Sequence, residues 1–128
     1  MNRFQNPALG PLILRLSLGL MYLSHGLLKL LVFTPAGTAG YFASLGLPGF
    51  VGYLSILAEV GGGLLLLSGF FARWVALALV PLLLGTIVLV HGAHGWMFSN
   101  EGGGWEYPAF LITSSLALFF LGDSKRQA

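Results

Sequence analysis

The chain has 128 residues, of which 56% are hydrophobic and 8% are charged, with a net charge of +2 and no cysteine. A soluble domain is about one quarter charged, so no water-facing surface can be built here and the solvent around most of the chain is expected to be lipid. The small, scattered positive charge excludes a nucleic-acid footprint, and the lack of cysteine excludes disulfides, thiolate metal sites and thiol redox chemistry within the chain.

A bilayer-crossing helix needs about 20 mostly apolar residues. The first such segment runs roughly from Pro11 to Phe33. It holds Arg15, His25 and Lys29, exceeds the length of a signal peptide and lacks a small-residue cleavage site, so it reads as a retained span. The stretch "TPAGTAGYFASLGLPG" (Thr34 to Gly49) is small, aromatic and uncharged. Within it Ala39 to Leu45 is expected to form a short interfacial helix, stopped by Gly46 and Pro48. The second span is expected from Phe50 to Phe71 and the third from Trp74 to His94, joined by a tight hairpin at Ala72–Arg73. A glycine-rich loop, "GWMFSNEGGGW" (Gly95 to Trp105), leads to a short fourth span from Glu106 to Leu121. Pro108 is tolerated in a first helical turn, and Glu106 at that N-terminus is favoured by the helix dipole. Trp74, Trp96 and Trp105 fall at span ends, as an aromatic belt requires.

The expected fold is therefore all-α: one domain, an integral membrane four-helix bundle. Four spans put both termini on one side, with Arg3, Arg73, Lys125 and Arg126, while the opposite loops carry Glu101 and no Lys or Arg. The positive-inside rule places both termini in the cytoplasm.

Ionisable residues inside a membrane usually face the bundle interior and pair. At about 100° per residue, Arg15, Tyr22, His25 and Lys29 share one side of the first helix. Ser55, Glu59, Gly62 and Gly63 share a face of the second, where the glycines let a neighbouring helix approach beside the carboxylate. His91 and His94 are three apart, hence on one side of the third. Helical rise puts Glu59 about 13 Å from the outer end of its span and Lys29 and His91 about 6 to 7 Å inside that boundary. Together they predict a polar pocket that opens outward and is floored near Glu59.

Bland readings compete with this one. Lys29 and Arg15 can snorkel to headgroups, His94 and Glu106 can be wet interfacial residues, and Gly61 to Gly63 can serve packing alone. Glu59 is too short and too deep to snorkel, so it must be paired, protonated or facing water; a purely structural pair with Lys29 or His91 stays open.

Three kinds of chemistry suit the cluster. A lipid-soluble quinone needs an apolar slot, donors to its carbonyl oxygens and a proton route. Here Glu59 would handle protons, Lys29 would tune it, His25 and His91 would donate, Tyr22 would line the slot, Arg15 would pair from below or face headgroups, and Glu106 would guard the entrance. A metal or haem also stays open, since His91-x-x-His94 with Glu59 and Glu106 superficially resembles carboxylate-bundle sites, although its pattern differs from Glu-x-x-His. The third kind is non-catalytic: a membrane subunit or scaffold that binds lipid, a metabolite or a partner. No Gly-rich phosphate loop, Ser-His-Asp order or inverted transporter repeat is evident. A homo-oligomer stays open.

The segments "RLSLGLMYLSHGLLKL" (Arg15 to Leu30), "GLP" (Gly46 to Pro48), "AEVGGGLLLLSGFFARWVAL" (Ala58 to Leu77) and "GGWEYPAFLITSSLALFFLG" (Gly103 to Gly122) resemble the DoxX family of small four-helix membrane proteins. The resemblance covers nearly the whole chain and departs at the tail "GDSKRQA", where many members carry a longer Pro/Gly-rich segment. It implies a bacterial inner-membrane protein. The family name comes from a subunit of a thiosulfate:quinone oxidoreductase, and some members are linked to oxidative-stress complexes with soluble redox partners; related proteins have trafficking or maturation roles. Carried over by position, the motif residues are Arg15, His25, Lys29, Glu59, Arg73 and Glu106. Fold alone does not give function, so the resemblance raises the expectation of redox chemistry without assigning it.

Overall fold

The structure, a computed structural model, describes residues 6–97, 99–101 and 103–121. Arg3, Lys125 and Arg126, which carry much of the orientation argument, lie outside the described residues. Those described are all-helical, with no strand among them. Asn6 starts the first helix, its Oδ1 accepting from the backbone N–H of Ala8 (3.1 Å) and Leu9 (3.0 Å). Helix α1 spans Leu9–Leu27 and continues into a π-helical turn, Leu28–Val32. There the Phe33 N–H reaches back five residues to the Leu28 carbonyl (3.1 Å).

Helix α2 spans Pro35–Ser44, four residues earlier than the expected Ala39 start. Thr34 takes a positive φ of 68° and caps it, its hydroxyl accepting from the Gly37 N–H, and Pro35 fits the first helical position, which needs no donor. At the other end Gly46 turns at φ 87°, as expected. Helix α3 spans Phe50–Ser68 and α4 spans Ala72–Thr86. Their hairpin lies at Gly69 (φ 80°) to Phe71 (φ 52°), not at the expected Ala72–Arg73. The reason is local: the Gly69 N–H closes on Leu65 and Leu66 carbonyls in a left-handed cap that glycine adopts without strain. Arg73 thus belongs to the first turn of α4.

Helix α4 also ends in a π turn, Ile87–His91, followed by a short 3-10 turn at Gly92–His94. The loop beyond is closed by Trp105 N–H to Gly95 O (2.9 Å) and Glu106 N–H to Trp96 O (3.0 Å). Helix α5 spans Glu106–Leu121, the expected bounds. Three helical stretches, Leu9–Val32, Phe50–Ser68 and Ala72–Leu89, are long and apolar enough to cross a membrane, and α5 is a shorter apolar helix. At 1.5 Å per residue its 16 residues reach about 24 Å. Large apolar side chains such as Val88 and Phe120 are more than three quarters exposed, which suits lipid and not water.

The bundle is organised as two close helix pairs, α1 with α3 and α4 with α5, joined by α3–α4 and α1–α5 contacts. Small residues bring α1 and α3 together. A Cβ on Gly63 would stand 2.6 Å from the Leu23 backbone nitrogen, and one on Gly26 would stand 2.8 Å from the Val60 nitrogen. Only glycine permits such contact, and in lipid this close packing replaces the missing hydrophobic drive. Gly62 meets the Leu79 side chain of α4 instead, while Gly61 faces open space. The shared core contains Leu18, Tyr22, Leu66, Leu79, Leu83, Leu111 and Leu118. Arg73 ties α4 to α5, donating from Nε to the Phe119 carbonyl (3.1 Å) with its guanidinium 4.6 Å from the Phe119 ring.

Two polar links inside the core hold the helices in register. The Tyr22 hydroxyl of α1 and Ser115 Oγ of α5 lie 2.8 Å apart, both fully buried. Arg15, also buried, donates from Nη1 to the carbonyls of Leu66 (2.5 Å) and Leu67 (2.9 Å) in the last turn of α3. The Leu66 carbonyl also accepts from the Gly69 N–H (3.2 Å), and a cation at this helix end complements the helix dipole. Tyr22→Phe is expected to cost about 1 kcal/mol of stability in detergent unfolding, because it strands the Ser115 hydroxyl. Adding Ser115→Ala should cost less than a second full increment, which a double-mutant cycle measures.

Candidate functional site

At the end of the bundle that carries the two π turns lies a cavity of about 620 Å³, lined by residues from every helix. Its polar floor is the ion pair of Lys29 Nζ with Glu59 Oε1, both largely buried. The pair follows from the glycine contact below it. Gly26 lets α1 touch α3 beside Glu59, and the π turn then carries Lys29 across the gap. A π turn holds one extra residue, which changes the face that a helix end presents; such turns recur at functional sites. His91 comes from the second π turn. Its Nδ1 lies 2.8 Å from the Gly103 carbonyl, an acceptor, so Nδ1 carries a proton and Nε2 of the neutral ring is an acceptor.

His25 lines the cavity from α1 and stacks on Tyr107 of α5, with ring centroids 5.1 Å apart and planes at 21°. The Tyr107 hydroxyl is 3.4 Å from His25 Nδ1. Apolar and aromatic walls come from Phe33, Tyr41, Phe42, Leu83 and Leu111. Helix α2 adds Thr38, which is buried and whose hydroxyl has no hydrogen-bond partner among the described residues. Pockets of 300 to 1,000 Å³ with mostly apolar walls and a few placed polar groups are typical of small-molecule sites.

Four of the seven sequence-predicted residues meet in this cavity: His25, Lys29, Glu59 and His91. The other three do not line it. Tyr22, expected in the slot, is in the core, because its hydroxyl is taken by Ser115. Arg15, expected to pair from below or to face headgroups, is buried with its guanidinium on the α3 carbonyls. Glu106, expected at the entrance, lines a neighbouring open groove of about 590 Å³ with Trp96, Tyr107 and Phe110. Its place at the first residue of α5 points it to the far side of Tyr107, which walls both spaces. His94 stands with its ring 6.5 Å from that of His91, outside the cavity lining. No three His, Asp or Glu side chains form a metal-holding group among the described residues.

Sequence reasoning missed Tyr107 and Thr38. Tyr107 had a signal, since it sits between Glu106 and Pro108 in the quoted motif. Thr38 had none, because a threonine in a small-residue linker is unremarkable until the linker folds over a cavity.

Comparisons with known proteins agree with this architecture. The DoxX family model matches residues 10–92, which covers α1 through His91. The chain is 32% identical over 115 residues to a Bacillus subtilis (strain 168) protein named "Putative oxidoreductase CatD", covering 90% of this chain and 81% of that protein. It is 37% identical over 97 residues to "Inner membrane protein YqjF" of Escherichia coli (strain K12), covering 72% and 73% of the two chains. It is also 32% identical over 112 residues to "Inner membrane protein YphA" of the same organism, covering 86% and 77%. No solved structure matches. The matched stretch contains Arg15, His25, Lys29, Glu59 and Arg73, and with it the α1–α3 pair that builds the floor of the cavity: the chain belongs to the DoxX family.

Proposed function

We propose that this protein is a multi-pass inner-membrane component of an oxidoreductase system, and that its cavity binds the head of a quinone or a similar redox-active small molecule. The observation that carries this reading is the cavity itself: flat aromatic and aliphatic walls around an ion pair and two histidines, within helices of membrane length. A quinone head is flat, apolar on its faces and an acceptor at two opposed oxygens, which suits walls of that kind above a polar floor. The name of the CatD relative supports the redox part, and the names of YqjF and YphA support the membrane.

In this reading Lys29 and His25 orient the ligand by donating to its oxygens, His91 supplies ring surface and an acceptor Nε2 and not the expected donor, and Glu59 is the proton-handling group at the cavity floor. Bound quinone would supply two-electron, two-proton chemistry; the electrons would come from a soluble or membrane redox partner protein. Both termini and the Arg73 end of the bundle face the cytoplasm, so the cavity opens toward the opposite face.

The test is binding of decyl-ubiquinone to purified protein in lipid nanodiscs, with mass spectrometry of organic extracts from the mildly solubilised protein. Wild type should take up one quinone per chain and gain about 2.7 kcal/mol of stability at one hundred times Kd, read as a higher melting temperature. The double variant Lys29→Met/Glu59→Gln should lose that rise. Wild-type protein with no saturable uptake would overturn the quinone reading and leave the alternative of a scaffold whose ion pair sets helix register.

A further inference from the structure

The two histidines of the cavity are held by partners of different kinds. A neutral imidazole donates from one nitrogen and accepts at the other, so the bond made at one nitrogen decides what the other can offer. His91 Nδ1 meets the Gly103 carbonyl, which can only accept. His25 Nδ1 meets a phenol, the Tyr107 hydroxyl at 3.4 Å. In such a pair the phenol is the stronger acid and the neutral imidazole the stronger base, so the hydroxyl donates and Nδ1 accepts. The proton of the His25 ring is then on Nε2.

That nitrogen is open. Two polar side-chain atoms are sealed without a partner among the described residues, Thr38 Oγ1 and His94 Nδ1. His25 Nε2 has no hydrogen-bond partner among the described residues either, yet it is not sealed: the ring is only partly buried and lines the cavity. The one N–H that His25 can give is therefore carried, uncommitted and accessible, on a ring of the cavity wall.

Tyr107 is anchored well enough to hold this arrangement. Its ring packs on the shared core on one side and stacks on His25 on the other, with planes at 21°. Its backbone is pinned from both directions. The Glu106 N–H before it is bonded to the Trp96 carbonyl, and Pro108 after it is fully buried. A side chain fixed in this way sets both the plane and the proton of the imidazole against it. Histidines that hold metals or move protons are oriented in the same manner, by a partner at the nitrogen that does not touch the ligand.

We infer that Tyr107 is a positioning residue of the site: its hydroxyl holds His25 in the tautomer protonated at Nε2, so that this N–H donates to a carbonyl oxygen of the bound quinone-type head. The ligand half of this inference rests on the proposed quinone reading; the tautomer does not depend on it.

The experiment is heteronuclear NMR of nanodisc-embedded protein labelled at the histidine ring nitrogens, with the Kd for decyl-ubiquinone measured on the same samples. His25→Gln assigns the His25 signals among the three histidines. Tyr107→Phe keeps the stack and removes the hydroxyl. Tyr22→Phe removes a different hydroxyl, the one bonded to Ser115, and controls for general loosening of the bundle. Wild type should show His25 as a single neutral tautomer protonated at Nε2. Tyr107→Phe should give a mixture of tautomers and weaken binding about threefold to tenfold, the worth of one hydrogen bond. Tyr22→Phe should leave the His25 signals as in wild type and the Kd within about twofold. Wild-type His25 protonated at Nδ1 or at both nitrogens would overturn the inference. So would an unchanged signal or an unchanged Kd in Tyr107→Phe, or equal losses in Tyr107→Phe and Tyr22→Phe, which would make the hydroxyl merely structural. Each of these leaves the quinone reading intact. Wild-type protein that takes up no decyl-ubiquinone would overturn the quinone reading and, with it, the ligand role of this N–H.

Discussion

Lys29→Met should destabilise the protein by about 3 kcal/mol or more, and adding Glu59→Gln should recover most of that loss. Breaking a buried ion pair from one side leaves an uncompensated charge, which typically costs 3 to 5 kcal/mol, whereas removing both charges is often nearly neutral. The two single variants should also differ. Glu59 is largely buried on α3, about 13 Å from the end of its span, and its short side chain cannot reach the interface. Lys29 lies in the π turn that ends its helical stretch, with a long side chain that can extend toward headgroups. Glu59→Gln, which leaves only the lysine behind, should therefore cost less than Lys29→Met. Equilibrium unfolding in detergent micelles for both single variants and the double variant measures this directly. Equal costs for both singles, with no recovery in the double, would mean that the two side chains act through packing and not through charge.

The second large effect concerns three adjacent glycines that look alike in the sequence. Gly63→Ala should destabilise by roughly 1 to 3 kcal/mol, because its Cβ would meet the α1 backbone at 2.6 Å and the helices must separate. Gly61→Ala should be neutral or stabilising, by up to about 1 kcal/mol, since its Cβ would meet nothing within 4 Å and alanine favours the helix. Gly62→Ala falls between them, because the Leu79 side chain can shift. Separating α1 from α3 also moves Lys29 from Glu59, so Gly63→Ala should weaken ligand binding as well. The same nanodisc titration reads that loss. Stability alike for Gly61→Ala and Gly63→Ala would refute the close α1–α3 crossing.

Much of the architecture was legible before any coordinates. Low charge and long apolar runs announced membrane helices, and the α5 bounds and the Gly46 stop were read correctly from local signals. The hairpin lies at Gly69–Phe71 and not at the expected Ala72–Arg73, because the left-handed turn at Gly69 ends α3 first. The polar cluster was half legible. Periodicity put Arg15, Tyr22, His25 and Lys29 on one side of α1, and all four do face the bundle. Their tasks differ by depth: carbonyl capping for Arg15, an internal hydroxyl bond for Tyr22, the cavity for His25 and Lys29. A helical wheel gives direction but not what stands opposite at each level.

By itself, then, the sequence determined the all-helical class, the apolar runs from which the helices form and the presence of a deep carboxylate that needs a partner. Those properties follow from composition and from the 3.6-residue period, both local. Tertiary structure decided which partner Glu59 takes, which glycine of three is a contact, and which polar residues share the cavity. Each of these depends on where one helix crosses another and on two π turns that shift the face of a helix end, and neither is written in any single segment. Thr38 is the clearest case: a small polar residue in an uncharged linker becomes a buried residue of the cavity lining once α2 is laid across Gly52.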